Sequence, residues 1–145
     1  MYGGLYRAIV SNINDPDKMG RIRVTIPELL GETTESAWCL PCVPVCYDNG
    51  GDFCLPKLKE TVWVAFERGD LNFPVYLGNW WSPYNTPAGK DYKKDARIIN
   101  FDNCTIIMKG DTIDIEGEVN LSKLNVNGKP LYDYIKEIVE EVNNA

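Results

Sequence analysis

The 145-residue sequence contains no histidine. Histidine is the commonest general base in enzymes, the commonest nitrogen ligand of zinc and the usual pH-sensitive side chain near neutrality. Its absence therefore excludes imidazole chemistry of all three kinds. A pair of carboxylates, such as two of Glu60, Glu67 and Asp70, is the remaining candidate for catalysis, as in a cell-wall hydrolase. Because these residues fall at predicted strand ends and turns, we expect solvated carboxylates and no enzyme.

The sequence also lacks a long apolar run and an excess of basic residues. No segment approaches the ~20 apolar residues that cross a bilayer, and the first residues lack the order of a secretory signal. We therefore expect folding in a cytoplasm and no stable membrane association. Lys and Arg number 15 against 21 Asp and Glu, a formal net charge of −6. This charge disfavours nucleic-acid binding, which depends on cations displacing counterions from the phosphate backbone.

Five cysteines are present, an odd number that makes a disulfide framework a poor interpretation. Cys39 and Cys42 have CxxC spacing, and Cys46 and Cys54 follow them, so a four-thiolate zinc site is one alternative. The other alternative is that these thiols pack as small hydrophobic side chains. The prolines within this segment favour extended backbone over the glycine turn of a zinc knuckle. We therefore expect no metal site and no cofactor.

Short β-prone segments separated by strong turn signals fill the first eighty residues. The predicted strands are 5–13, 21–26, 38–46, 61–67 and 73–80, and the polar segment 27–36 is predicted to be a connection. Five strands in a segment of this length are typical of an OB-type barrel. The predicted fold is therefore all-β: a small five-stranded OB-type barrel over 1–81, a linker over 82–97, a β-ladder stem over 98–128 and one helix over 129–145.

In the predicted stem, apolar residues alternate with acidic ones. The apolar positions are Ile113, Ile115, Val119 and Leu121, followed, after a predicted bend at 122–123, by Leu124 and Val126. A ribbon with one apolar face is not stable alone in water. It must pack either on the barrel or on copies of itself. Three chains around a common axis would place the apolar positions inside and the carboxylates outside.

The predicted helix carries a narrow apolar seam. Leu131, Ile135, Ile138 and Val142 repeat at spacings of four, three and four residues, which is the a/d pattern of a coiled coil. A helix of this length is marginal alone. A three-helix cluster on the same axis, or a neighbouring barrel, would supply its partner surface. These four residues and the apolar positions of the stem form the predicted trimer interface.

An ordered series of turn and strand residues in the first eighty positions resembles the OB-fold domain shared by phage central spike proteins and type VI secretion VgrG proteins. The residues that carry the resemblance are Gly20, Arg21, Trp38, Gly51, Pro56, Val64, Phe66, Gly69, Asp70, Pro74 and Gly78. Each is an ordinary turn or strand residue, and the specificity lies in their order over about sixty positions. In that family the OB domain lies beneath a ring-shaped hub, and the chain continues into a trimeric β-helical needle.

The resemblance implies a structural hub or spike adaptor in the baseplate of a contractile injection system. It implies a homotrimer whose partners are a tail hub protein and a separate spike or needle-tip protein, because the stem is short and a helix closes it. It also implies assembly in a bacterial cytoplasm and residence in a phage tail or tail-like particle. The alternative is an OB-fold module that binds single-stranded nucleic acid or oligosaccharide, with stacking platforms at Trp63, Trp80, Trp81 and Tyr84.

Overall fold

The computed structural model describes residues 1–81 and 95–144. The chain divides into two compact units, Met1–Asn85 and Thr86–Ala145. Most of the predicted linker, and Tyr84 of the alternative binding site, lie outside the described residues. The described elements are mostly strands with one longer helix near the carboxyl end, which confirms the all-β fold class.

Eight strands belong to the first unit. They are β1 (Tyr6–Asn12), β2 (Arg23–Ile26), β3 (Gly31–Glu35), β4 (Leu40–Pro41), β5 (Cys46–Tyr47), β6 (Gly50–Gly51), β7 (Thr61–Phe66) and β8 (Pro74–Asn79). Six of them form one sheet in the order β3-β2-β1-β7-β8-β4, and β5 and β6 form a separate two-stranded ribbon. Neighbours in the sheet are antiparallel except β4, which runs parallel to β8.

A backbone bridge joins the residues that precede β2 and β4, which lie near opposite ends of this sheet. Ile22, which precedes β2, and Cys39, which precedes β4, exchange N–H···O bonds of 3.2 and 2.8 Å. The sheet therefore curls back on itself, and one side chain in two along each strand points to the inside. These inward residues form the core: Ala8, Val10, Ile22, Val24, Ile26, Cys39, Val62, Val64, Phe66 and Tyr76.

Two sequence predictions were wrong in this unit. The segment 27–36, predicted to be a connection, contains the one-turn helix α1 (Pro27–Leu30) and strand β3, whose five residues are all exposed. An exposed edge strand has no apolar alternation by which sequence could reveal it. The strand predicted over 38–46 is reduced to β4 and the start of the ribbon, because prolines 41 and 44 lack the N–H groups that a ladder requires.

The second unit contains a three-stranded antiparallel sheet, a small ribbon and a helix. Strands β9 (Arg97–Phe101), β10 (Cys104–Lys109) and β11 (Thr112–Glu116) pair in the order β11-β10-β9. The ribbon consists of β12 (Asn125–Val126) and β13 (Lys129–Pro130), and helix α2 (Leu131–Asn143) follows it. Ser122 lies in a bend. The sequence predicted a bend here because the apolar residues change from odd-numbered to even-numbered positions.

The predicted stem and the predicted helix are both longer than the observed elements. Strand pairing stops at Glu116 and resumes at Asn125, so Val119 and Leu121 do not lie in a strand. Helix α2 begins at Leu131, because residues 129 and 130 pair with β12 and the Leu131 N–H donates to the Leu124 carbonyl at 2.8 Å. Pro130 is therefore the cap residue before the helix and not part of its first turn.

The amino-terminal segment is fastened to the turn after β7. The Tyr2 N–H donates to the Gly69 carbonyl at 3.0 Å, and Gly69 has a φ of +73°. A Cβ atom at Gly69 would lie 2.8 Å from the Tyr2 nitrogen and 2.5 Å from Met1 Cγ. Gly31 has a similar φ of +82° with nothing within 4 Å, so the two glycines differ in their surroundings.

Replacing each glycine with alanine should separate backbone strain from this contact. Gly31→Ala should cost about 1–3 kcal/mol, because its φ of +82° and ψ of +173° lie in a region that is essentially restricted to glycine. Gly69→Ala should cost this amount and about 1 kcal/mol more, because the added methyl group displaces the Tyr2 hydrogen bond. Urea unfolding of both variants measures the difference. Equal losses of stability would show that the amino-terminal contact contributes nothing.

Candidate assembly surfaces

The turn between β1 and β2 is organised by one buried carboxylate. The Asp15 side chain is 4% exposed. It accepts hydrogen bonds from the backbone N–H groups of Asp17, Met19 and Arg21 at 3.1, 2.7 and 3.1 Å. The Arg21 guanidinium donates to it at 3.0 Å from Nε and at 2.6 Å from Nη2, and also reaches Asp17. Both guanidinium nitrogens donate to Asp15 Oδ1, and these charge-assisted bonds, with the three backbone N–H groups, stabilise the turn.

The charge of Arg21 sets the protonation of Asp15. The guanidinium hydrogen bond, and then the three backbone N–H groups, hold the pKa of the Asp15 carboxyl well below its ordinary value of 3.8, although burial acts in the opposite direction. The pKa of Arg21 is raised in turn, first by its hydrogen bond to Asp15. Both groups are therefore ionised throughout the physiological range.

Two guanidinium groups, from the turn and from the strand that follows it, lie near the ring of Trp38. The Arg21 and Arg23 guanidinium carbons lie 5.6 and 4.8 Å from the indole centroid. Arg23 also forms an ion pair with Glu35 on β3 at 3.7 Å. Cation–π contacts of this kind stabilise the half-buried tryptophan beside the start of β2. Arg21 and Trp38, two of the residues that carried the resemblance, therefore contact each other.

Tyr76 ties the same turn to strand β8. Its hydroxyl is buried and donates to the Gly20 carbonyl at 2.9 Å. Burial, and then the electrostatic influence of Cys39 and Cys54, raises the pKa of Tyr76 to about 12. Gly20 has a φ of +77°, and a Cβ there would lie 3.0 Å from the Phe53 ring. A glycine is therefore required at this position both by its backbone and by its neighbour.

The remaining residues of the resemblance lie in the core or at turns. Val64, Phe66 and Pro74 are buried on β7 and β8, where they fill the inside of the curled sheet. Gly51 lies in β6, Pro56 precedes the turn before β7, and Asp70 caps the turn after it by accepting the Asn72 N–H at 3.0 Å. Gly78 lies beside the register shift between β7 and β8. Their shared property is structural, since each shapes a turn or the core.

The cysteines do not form the cluster that a zinc site needs. Cys39 is buried beside the Ser36 hydroxyl at 3.5 Å, and burial raises the pKa of its thiol to about 11. Cys42, Cys46, Cys54 and Cys104 are exposed. Within residues 1–81 and 95–144, no three His, Cys, Asp or Glu side chains are grouped so that they could hold a metal ion.

The outer face of the first sheet carries an aromatic cluster. The Trp63 and Trp80 rings have centroids 4.8 Å apart, and the Arg7 guanidinium lies 5.5 Å from each ring. Arg7 is paired with Trp63 across β1 and β7. The two indoles therefore contact each other and a cation of the same chain. Trp81 is exposed.

The sheet of the second unit has one apolar face. Ile99, Ile106 and Ile115 are paired in one row across all three strands, and in the next row Met108 is paired with Ile113 on one side and with Arg97 on the other. Alternation places Asp114, Glu116, Lys109, Thr105 and Asn100 on the opposite face, together with the paired residues Ile98 and Ile107. Ile113 is 66% exposed and Ile115 is 56% exposed in the single chain. The sheet thus presents an apolar surface to its surroundings.

Sequence analysis identified Ile113 and Ile115 on this face but missed Ile99, Phe101, Ile106 and Met108. A sequence signal was present. Ile99 and Phe101 are separated by the polar Asn100, and Ile106 and Met108 are separated by Ile107, which faces the other side. The adjacent pairs Ile98-Ile99 and Ile106-Ile107 obscured it, because two successive isoleucines do not reveal which one faces the apolar side.

The other predicted interface residues lie around the start of helix α2 and along its length. Val119, Leu121, Leu124 and Leu131 line one groove of ≈ 760 Å³ together with Pro130 and Tyr132. Val126 is half-buried in the ribbon that precedes the helix. Ile135, Ile138 and Val142 form an exposed stripe along α2. On the polar side, Lys129 donates to both oxygens of Glu137 at 2.7 Å and so fixes the ribbon to the helix.

These features define a small all-β module that acts through surfaces: a curled sheet with a complete core, joined in one chain to a second unit with an exposed apolar face. The sequence model of the type VI secretion system/phage-baseplate injector OB domain matches residues 6–81, and the chain belongs to this family. No curated protein matches the sequence. None of the helices in the described ranges is long and apolar enough to cross a membrane.

Membership of this family gives the chain a structural role in a phage baseplate or a related injection system. The family is a domain of the baseplate, so the chain assembles with other tail or baseplate proteins in a phage tail or tail-like particle. The resemblance found in the sequence is thereby confirmed. It covers the first unit, in which all eleven residues that suggested it are located.

The Asp15 carboxylate should make stability depend on acidity. Because the pKa is lower in the folded state, its contribution is complete above the ordinary value of 3.8 and is lost as the pH falls below it. Asp15→Asn should lower the Tm at pH 7 and weaken its dependence on pH below 4. Glu32→Gln, which removes an exposed carboxylate from β3, should change neither property. Thermal melts from pH 2 to 7 test this, and parallel curves for the wild type and Asp15→Asn would contradict it.

Proposed function

We propose that the chain is an adaptor between hub and spike in the baseplate of a contractile injection system, and that it acts as a homotrimer on the tail axis. In this proposal residues 1–81 form the OB module that contacts the tail hub protein. Residues 98–128 and 129–145 form the stem and helix that hold three copies together, after a linker at 82–97. A separate spike or needle-tip protein continues the axis. The role is structural and involves no catalysis.

The observation that carries the proposal is that no residue among 95–144 is buried in the single chain. A sheet and a helix without a shared core do not bury enough apolar surface to offset the entropy lost on ordering them. The first unit, by contrast, has ten buried core residues. The second unit therefore depends on a further surface for its stability.

Three copies supply such a surface with the same residues from each chain. The apolar face of each three-stranded sheet can turn toward a common axis, so that the isoleucine rows of the three chains cover one another. The opposite face, with Asp114 and Glu116, then points outward to water. Fully burying an isoleucine contributes about 1.5–3 kcal/mol, and several such residues per chain are exposed before assembly.

Helix α2 can join the same axis through its apolar stripe. Leu131, Ile135, Ile138 and Val142 have the spacing by which helices pack around one another. The groove beside the start of the helix, lined by Val119, Leu121 and Leu124, gives the end of a neighbouring chain a place to pack. The proposed interface is thus continuous from the sheet to the carboxyl end.

A charge on the apolar face should prevent assembly. Ile115→Asp would place three unpaired carboxylates against one another on the axis, and each buried charge carries a desolvation penalty of several kcal/mol. We expect the wild type to have three times the 16.4 kDa chain mass and the variant to be monomeric or aggregated. Size-exclusion chromatography with multi-angle light scattering measures both.

Thr112→Asp is the matched control, because Thr112 lies on the polar face of the same strand opposite Lys109. This variant should remain trimeric. A trimeric Ile115→Asp variant would show that the sheet does not face the axis. A monomeric wild type with a well-ordered second unit would contradict the trimer itself.

The alternative of a nucleic-acid or sugar binder has less support. Its stacking residues Trp63 and Trp80 already contact each other and Arg7, so a ligand would compete with contacts made within the chain. The net charge of −6 opposes phosphate binding as well. We expect no mobility shift with short single-stranded oligonucleotides at low salt. Tight, salt-sensitive binding that is lost in Trp81→Ala would favour the alternative.

A further inference from the structure

We propose that Asn127 is a site of spontaneous covalent modification, at which the side-chain amide is lost and the backbone of the turn before helix α2 becomes isoaspartate. The reaction needs no other reagent than water. The proposal concerns one turn of the chain and does not rest on the trimer.

The chemistry follows from the dipeptide Asn-Gly, which occurs twice in the sequence, at 49–50 and 127–128. The glycine nitrogen can attack the side-chain carbonyl carbon of the asparagine, because glycine has no Cβ to hinder the approach. A new C–N bond closes a succinimide ring, and the side-chain amide nitrogen leaves as ammonia with the proton of the glycine N–H. Water then opens the ring at either carbonyl, which gives aspartate or isoaspartate. One water is consumed, one ammonia is released and no electrons are transferred.

The structure protects the first dipeptide in two ways. The Asn49 side-chain nitrogen donates to the carboxylate of the preceding residue at 3.0 Å. Gly50 is paired with Tyr47 and closes its hairpin. Bonds alternate along an antiparallel ladder, and the Asp52 N–H donates to the Val45 carbonyl two residues away, so the Gly50 N–H donates to Tyr47. The attacking nitrogen of this dipeptide is therefore engaged in the ladder.

The second dipeptide lacks both protections. The pair Val126–Lys129 closes its hairpin, so Asn127 and Gly128 are the two loop residues and the Gly128 nitrogen lies outside the ladder. Their φ angles of +51° and +80° are both positive, as in a type I′ turn. No residue among 1–81 and 95–144 hydrogen-bonds to the Asn127 side chain. Asn127 is exposed, and a Cβ at Gly128 would have nothing within 4 Å, so water reaches the site.

Isoaspartate at this position would loosen the start of helix α2. The modified backbone carries one extra carbon atom, and a two-residue turn fixes the register of its strands only at its normal length. The Leu131 N–H bond to the Leu124 carbonyl and the ion pair between Lys129 and Glu137 both depend on this register. The modification would therefore act on the junction between the ribbon and the helix.

The test is incubation of the purified full-length chain at mildly alkaline pH, where the glycine nitrogen loses its proton more readily, followed by a peptide map. The tryptic peptide 124–136 should gain the mass difference between a hydroxyl and an amino group, and fragment ions should place isoaspartate at 127. Asn127 should convert about ten times faster than Asn49, because the hydrogen bonds that protect Asn49 have to break first.

Matched variants separate the reaction from its effect on the helix. Asn127→Gly should abolish the product and keep the turn, because glycine adopts a positive φ without strain. Asn49→Gly should leave the rate at Asn127 unchanged. In the isoaspartate form the Leu131 N–H should exchange with solvent faster than in the unmodified chain. Asn127→Asp adds the charge without the extra carbon atom and should retain the slower exchange.

Three results would overturn the proposal. They are equal rates at Asn49 and Asn127, conversion of the peptide 124–136 at Asn125 only, and unchanged exchange of the Leu131 N–H in the isoaspartate form. Because the peptide map uses the wild-type chain, it decides the site of the reaction even if a variant folds poorly.

Discussion

The first unit depends most on the hydrogen bonds that the Asp15 carboxylate accepts. It gathers three backbone N–H groups and a guanidinium into one turn. Arg21, held there, supports Trp38, and the neighbouring Gly20 carbonyl receives the Tyr76 hydroxyl from β8. The turn thus connects segments that are far apart in the chain, since the bond from Tyr76 to Gly20 spans 56 residues. A charged group costs free energy when it is removed from water, and here full hydrogen bonding offsets that cost.

The two units solve the problem of burial differently. In the first, a bridge between Ile22 and Cys39 curls the sheet until its own strands cover the apolar side chains. In the second, the sheet of three strands is not covered by a core of its own, and no residue of 95–144 is buried. The family match covers the self-sufficient unit, whereas the proposal of a trimer concerns the other one.

Sequence was informative where a strand is covered on at least one side. The alternation of Val62, Val64 and Phe66 located β7 to within one residue, since each inward position must be apolar. Strand β3 was missed because all its residues are exposed, so its sequence lacks the alternation of apolar and polar residues that indicates a strand. Val119 and Leu121 do alternate as in a strand, yet no strand among the described residues pairs with them. The contact between Arg21 and Trp38 could not be predicted, because it arises from the curl of the sheet and not from local spacing.

The difference in burial has a consequence for the kinetics of folding. A unit whose core is made by its own strands folds at a rate independent of concentration. A unit that completes its core by association gains stability from mass action, so its order rises with the number of chains present. Under the proposed trimer, newly made copies would keep a folded OB module before their carboxyl ends associate, and the local concentration of chains would set the time at which the stem becomes rigid.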